Sequence, residues 1–320
     1  MNIVLYEHEH FELLDAFVAV FAAEGRRLHL LLTPGVLQML DSPNPWKDLD
    51  VTVQLLPAVN AEHPAAVEAL CKKTGATLLL LGTVSFRHGQ FAAVCRRLQP
   101  RVRVCLGIHD VNELFAGQRP RSLRDWVRAF GRKRLRRAIN AFWVPLEEMR
   151  AHLLQTYKPG KPVYVLPGSF WNGYATGPDY DGAIRLSVAG SIDSRRRDYS
   201  VVETLAEQLF RETTDPEISI LMLGTPTDHA PGWIDRFPGV LAYEPNGFLT
   251  KEYEAALRET ELLWLPLQPV FRRPGHPDEA YGLSKSSGVF FDALRHGKPL
   301  LLHDDLPVPG IVASAVLQYS

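Results

Sequence analysis

The chain has 320 residues, 46% apolar and 22% charged, with 35 Lys and Arg against 36 Asp and Glu and a formal net charge of −1. That apolar content suffices for two cores of ordinary domain size and excludes a disordered chain, while the near-neutral balance excludes an overall electrostatic pull toward nucleic acid. The three cysteines, Cys71, Cys95 and Cys105, match no zinc or redox spacing and predict reduced thiols among apolar neighbours in a cytoplasmic protein.

The N-terminal segment MNIVLYEHEHFE is too short and too acidic for a signal peptide, and no apolar run approaches the roughly eighteen residues of a membrane span. Short apolar runs at 3–6, 28–32, 51–56, 77–81, 102–108, 141–144 and 163–166 read as buried parallel strands. The segments between them are long enough for crossovers, which predicts one doubly wound domain over 1–168. After the first run, Glu7-His8-Glu9-His10 stands where a glycine-rich loop is common, and residues 1–24 contain no glycine. Two histidines at i, i+2 with no partner motif are weak metal ligands, so no metal is expected and these side chains read as a polar loop facing an acceptor. The run 102–110, VRVCLGIHD, delivers His109 and Asp110 at its carboxyl end.

Between 119 and 137 nine Arg or Lys accompany one Asp, with Trp126, Val127, Phe130 and Leu135 interleaved. The pattern fits a solvated helix face that steers anionic substrates, or a basic amphipathic surface meeting an anionic membrane. No recognised RNA or DNA module surrounds it, and no nucleic acid partner is expected.

Residues 168–182 lose the alternation and are rich in Gly, Asp and aromatic residues, so the domain linker is placed at 169–183. Apolar runs resume at 184–189, 218–223, 240–243, 262–265 and 300–303 and predict a second doubly wound domain over 184–320. In its first unit of pattern, LSVAGSIDSRRRDY, a strand ends at Gly190 and a loop carrying Arg195, Arg196 and Arg197 precedes a helical pattern. Such a turn after a glycine-ended strand suits phosphate, and the guanidinium fork can hold two oxygens at once. The segment 279–303, EAYGLSKSSGVFFDALRHGKPLLLH, predicts a helix of about eleven residues. Ser284, Ser286 and Ser287 are candidate caps, Gly288 permits close approach, and Gly297 with Pro299 closes it. The unpaired first N–H groups and the helix dipole favour an anion there, and Asp292 inside the helix suits a ribose diol. Alone, this segment fits a capped core helix with a solvated Asp better, because helix caps are far commoner than phosphate sites.

Taken together, these three motif-bearing segments resemble the retaining GT-B glycosyltransferases, the family that holds glycogen synthases and bacterial lipid and polysaccharide glycosyltransferases. In order of elements the resemblance covers nearly the whole chain; its specific motifs lie in the second half. It implies an α/β fold of two Rossmann-like domains facing across a cleft, the second short at its C-terminus. It also implies a retaining, metal-independent glycosyltransferase, needing no cofactor, that moves a sugar from a nucleotide diphosphate donor to a hydroxyl acceptor. On that reading Arg195 and Arg196 stabilise the leaving diphosphate and His109 orients the sugar. Gly190, Arg197, Glu279, Tyr281, Gly282, Lys285, Ser286, Ser287, Gly288 and Asp292 bind the nucleotide. Lipid-acceptor members of the family further imply peripheral membrane contact through 119–137.

The chain departs from the family pattern at several points. Ser191 follows Gly190 where an Arg is usual, and Glu279 and Asp292 stand farther apart than the family's acidic pair. Only 17 residues follow His303, where family members add further strand and helix. These departures keep open a nucleotide-sugar epimerase of the same architecture and a catalytically silent binding protein.

Overall fold

The computed structural model describes residues 1–22, 25–40, 45–116, 122–171, 184–212, 217–248, 250–272 and 276–320. The chain forms two compact units, Met1–Gly168 with Arg273–Pro277 and Ser169–Arg272 with Asp278–Ser320. Most of the predicted linker, 172–183, lies outside the described residues, as do 117–121 of the basic segment.

In the first unit, β1 (Asn2–Glu7), β2 (Arg27–Leu32), β3 (Val51–Leu55), β4 (Leu78–Leu81), β5 (Arg103–Gly107), β6 (Ala141–Val144) and β7 (Val163–Val165) form one sheet. Its order is β3-β2-β1-β4-β5-β6-β7, and every adjacent pair is parallel. Strands covered on both faces are apolar nearly throughout, which is why β1, β4 and β6 are legible as continuous runs, while the edge strands β3 and β7 are part exposed and β3 carries Thr52 and Gln54. Ile3, Leu5, Leu28, Leu30 and Leu32 pack with Phe17 and Trp143 in the core of this unit. Each such side chain removed from water contributes about 1.5–3 kcal/mol before the cost of ordering the chain.

In the second unit, β8 (Ile184–Ala189), β9 (Ile218–Leu223), β10 (Leu241–Tyr243) and β11 (Leu262–Leu265) precede a small antiparallel hairpin, β12 (Val270–Phe271) with β13 (Glu279–Ala280). Two further strands, β14 (Leu300–His303) and β15 (Val316–Tyr319), complete a parallel sheet of order β10-β9-β8-β11-β14-β15. The seventeen residues after His303 thus supply a sixth strand that the sequence did not announce. β15 is an edge strand with Leu317 exposed, so it carries no continuous apolar run.

Both sheets reverse strand order beside their first strand, between β1 and β4 in one unit and between β8 and β11 in the other. At such a switch point the loops after the two strands part and leave a crevice at their carboxyl ends. Glycines let the main chain close up there. A Cβ on Gly107 would lie 2.2 Å from the Gly82 carbonyl oxygen, and one on Gly224 would lie 2.1 Å from that of Gly190. The three cysteines are free and buried, and burial pushes each thiol up to about 12, so none is a reactive thiolate.

Candidate functional site

At the switch point of the first unit the chain supplies its own anion. Glu7, the last residue of β1, is fully buried, and its Oε1 accepts the backbone N–H groups of His8 (2.8 Å), Glu9 (2.9 Å) and His10 (3.1 Å). Three successive N–H groups that could cradle a phosphate are therefore occupied by a carboxylate. Thr83, just after β4, donates its hydroxyl to Glu7 Oε2 at 3.1 Å, and a Cβ on Gly82 would fall 2.1 Å from that same oxygen. Burial raises the Glu7 pKa, against the opposing pull of His10, these N–H groups and Thr83.

His109, two residues beyond β5, joins this group. Its Nε2 lies 3.2 Å from Thr83 Oγ1 and 3.1 Å from the Gly82 carbonyl oxygen, and its ring meets Trp143 edge-on at 5.4 Å. The His10 ring lies 4.3 Å from that of His109 between centroids. His10 Nδ1 in turn is 2.7 Å from Glu12 Oε1. Burial opposes the imidazolium of His10, but the Glu12 hydrogen bond and charge, with Glu7 and Glu9, outweigh it and raise the pKa to about 8. Next to His109, Asp110 caps the short Val111–Phe115 helix by accepting the Glu113 N–H at 2.9 Å. The sequence marked His109 and read Glu7 as part of a polar loop facing an acceptor, whereas the Glu7 side chain is buried in its own N–H cradle; it did not mark Thr83 or Glu12, and the link of Glu7 and Thr83 to His109 depends on the β1-β4-β5 adjacency.

A raised folded-state pKa contributes stability that is complete below the unfolded value near 6.5 and is lost as pH rises through about 8. Glu12→Gln should therefore lower unfolding free energy by about 0.5–1 kcal/mol at pH 6, a modest figure because the pair is partly solvated. Urea midpoints should show the deficit at pH 6 and its disappearance by pH 9.5; an equal deficit at both would contradict the pairing.

The three arginines of the second unit have distinct surroundings. Arg197 is buried beneath the β8 carboxyl end, donating from its two terminal nitrogens to the carbonyls of Ala189 (2.8 Å) and Ser191 (2.6 Å). Its guanidinium fills the space beside Gly190, whose φ of +90° and missing Cβ both require glycine. Arg195 closes a fork on Asp193, Nε at 2.9 Å and Nη2 at 2.7 Å, and that hydrogen-bonded pairing lowers the Asp193 pKa to about 2. Arg196 crosses to the hairpin, stacking 4.5 Å over the Phe271 ring and donating to Tyr281 Oη (2.6 Å) and Glu279 Oε2 (3.2 Å). Glu279 is 1% exposed, and its Oε2 also accepts from Lys285 Nζ at 2.5 Å.

The structure thus joins Arg196, Glu279, Tyr281 and Lys285, brought in from the loop after β8 and the loop after β11. A main-chain bridge between Arg197 and Leu267 and the Gln268 N–H to Arg196 carbonyl bond at 3.0 Å hold the two loops together. Gly282, at φ +75°, turns the chain so that its own N–H reaches the Lys285 carbonyl at 2.9 Å. Lys285 then leads through Ser286 and Ser287 into the Gly288–His296 helix.

That helix has nine residues, against the eleven predicted, and ends as predicted at Gly297 with φ +61°. Ser287 occupies the N-cap with extended backbone angles, yet its side chain makes no capping bond. Ser284 is turned away, its hydroxyl engaged with the Ala280 main chain at 3.0 Å and 3.3 Å. The helix start is therefore left without the Ser287 side-chain cap that its sequence predicted, and of its first residues Gly288 is exposed while Ser287, Val289 and Phe290 are buried. Asp292 is half-buried and accepts the Tyr253 hydroxyl at 2.7 Å, from the Thr250–Glu259 helix. Burial raises its pKa to about 6.

Phe271, Asp193 and Tyr253 complete the surroundings of the predicted residues and were not singled out by sequence. Asp193 alone had a local signal, its place two residues before Arg195. At the end of β14, His303, Asp304 and Asp305 bring three candidate metal-ligand atoms within 4.8 Å of one another, though both acids are exposed.

No protein-family model matches the chain, and comparison with curated proteins finds no match. Solved structures are similar. Sucrose-phosphate synthase from Thermosynechococcus elongatus is 14% identical with a TM-score of 0.61, over 99% of this chain and 85% of that one. The N-terminal domain of Candida albicans trehalose-6-phosphate phosphatase is 11% identical with a TM-score of 0.58, over 99% and 85% of the two chains. The Neisseria meningitidis UDP-GlcNAc 2-epimerase bound to UDP-GlcNAc is 13% identical with a TM-score of 0.54, over 98% and 85%. At these identities the likeness concerns the fold: the chain has the two Rossmann-like domains of the GT-B glycosyltransferases and their related epimerases.

Proposed function

We propose that this protein is a retaining, metal-independent glycosyltransferase that moves a sugar from a nucleotide diphosphate donor to a hydroxyl acceptor. The observation that carries the reading is the Arg196–Glu279–Tyr281–Lys285 cluster, which runs directly into a helix start lacking its serine side-chain cap. Departure of a nucleoside diphosphate builds negative charge on its terminal phosphate, and cations with oriented N–H groups stabilise that charge. Arg196, Lys285 and the N–H groups at 286–288 take the diphosphate. Arg195 adds a cation at its edge, and Arg197 with Gly190 shapes the loop rather than touching phosphate. Asp292 takes the ribose from the first turns of the same helix, exchanging its Tyr253 hydrogen bond. In the first unit His109, fixed by Thr83 and Gly82, orients the sugar, and His10 faces the acceptor. Peripheral contact with an anionic membrane through 119–137 belongs to the same reading.

A uridine nucleotide is the first donor to try, because the similar epimerase is described as bound to UDP-GlcNAc. That similarity also favours a second reading, nucleotide-sugar epimerisation, in which a donor is converted with no acceptor present. The test is a thermal-shift screen of UDP, GDP and ADP in EDTA. At 100-fold over Kd a ligand specific to the folded state adds about 2.7 kcal/mol, a rise of roughly 5–10 °C for a unit of this size. One of the three should produce it and keep it in EDTA; binding that appears only with magnesium or manganese would remove the metal-independent assignment.

A further inference from the structure

The Leu123–Arg137 helix leaves four large apolar side chains in water: Leu123 is 81% exposed, Trp126 63%, Val127 67% and Phe130 60%. Their spacing, i, i+3, i+4 and i+7, places them on one stripe, so this is a face and not scattered exposure. It follows from how the helix is anchored. Gly131 brings it against the start of the His88–Leu98 helix, where an added Cβ would lie 3.1 Å from the Gly89 nitrogen and from the His88 Cβ, and Leu135 is fully buried. The two turns before Gly131 have no such anchor, though a Ser122–Asp125 capping box keeps them helical.

The same stripe continues past Phe130 into Lys133, Arg134 and Arg137, at about 100° per residue. Arg134 lies 5.5 Å over the Phe130 ring, joining the apolar and cationic halves of the face. Alongside, a groove of about 290 Å³ opens between this helix and Val111–Phe115, its lining mixing Trp126 and Phe130 with Arg128, Lys133 and Arg136 and with two acids, Glu113 and Asp125. The chain enters the helix from the carboxyl end of β5, where His109 sits, and leaves it toward the amino end of β6. The apolar turns therefore lie toward the functional end of the first unit.

We infer that this face docks onto an anionic lipid bilayer, with Leu123, Trp126, Val127 and Phe130 entering the acyl boundary and Lys133, Arg134 and Arg137 at the headgroups. Apolar insertion followed by a row of cations complements a bilayer whose surface is negative, whereas a second copy of this chain would bring the same cations together. The inference deepens the membrane contact of the proposed function, but its test needs no donor, so the two fail separately.

The full chain is sedimented with phosphatidylcholine vesicles containing 30% phosphatidylserine, and with pure phosphatidylcholine, at 50 mM and 500 mM salt. Binding to the anionic vesicles should exceed that to neutral ones by at least ten-fold at low salt and fall with salt as screening shortens. The combined Lys133→Gln, Arg134→Gln, Arg137→Gln variant should lose that preference by up to about a hundred-fold, since each cation near an anionic surface contributes about five-fold. The combined Leu123→Ser, Trp126→Ser, Phe130→Ser variant should lose vesicle binding at both salts. All six side chains are outside the core, and circular dichroism is used to check that each variant is folded. Absence of binding by the parent, equal binding to neutral vesicles, or variants that bind like the parent would overturn the inference. Concentration-dependent self-association abolished by the serine variant would instead assign the face to a second copy.

Discussion

Glu279→Gln is expected to lower the unfolding free energy of the second unit by about 3 kcal/mol, although the substitution keeps size and shape. The carboxylate is almost wholly buried and its Oε2 is shared by Arg196 at 3.2 Å and Lys285 at 2.5 Å. An amide oxygen can still accept one of these bonds, but it leaves two partly buried cations without a counter-charge. Removing one member of a buried ionic group costs about 3–5 kcal/mol, because the desolvated partners remain. Arg196 and Lys285 each keep about a quarter of their side chains in water, at 26% and 23%, which places the effect at the lower end. A fall of roughly 6–12 °C in the Tm of this unit follows, read by calorimetry. A change below about 1 °C would show that Glu279 does not organise the cluster.

The second large effect separates affinity from rate. Arg196→Ala and Lys285→Ala should each weaken nucleoside diphosphate binding by roughly 10- to 100-fold, the worth of a charge-assisted bond of about 1.5–3 kcal/mol. Arg197→Ala should act differently, lowering stability before affinity, because its bonds go to the main-chain carbonyls of Ala189 and Ser191. His109→Ala should leave diphosphate affinity unchanged and lower turnover by about 100-fold, as expected for a side chain that only orients the reacting group. The imidazole is held by Thr83 and Gly82 within the first unit. Isothermal titration with UDP, beside initial rates, reads both quantities. Equal losses of affinity in all four variants would contradict the division of roles.

The central strands were legible because buried parallel strands are apolar with little interruption, and the runs 3–6, 78–81 and 141–144 admit little else. β15 was not legible, since one face of an edge strand is wet and Val316–Tyr319 mixes Leu with Gln. His109 and the arginine cluster stood out through residue type and position at strand ends. Their partners did not. Glu7 reads as the first acid of a polar loop, and only the fold shows it filling a cradle of N–H groups. The sequence likewise treats Arg195, Arg196 and Arg197 alike, whereas their neighbours make them different, Glu279 and Tyr281 far along the chain for Arg196 and the nearby Ala189 carbonyl for Arg197. Ser287 illustrates the opposite error: a residue of capping type at the capping position, with its hydroxyl unused as a cap.

The proposed transfer requires the chain to break the bond between a sugar and a nucleoside diphosphate without a metal. It is tested most directly by release of nucleoside diphosphate from UDP-, GDP- and ADP-sugars, with EDTA present and with vesicles and simple sugars offered as acceptors. Release from one donor class should persist in EDTA and fall about 100-fold in His109→Ala. Tight donor binding with no release, no epimerised product and no effect of His109→Ala would contradict it and leave a nucleotide-sugar binding protein.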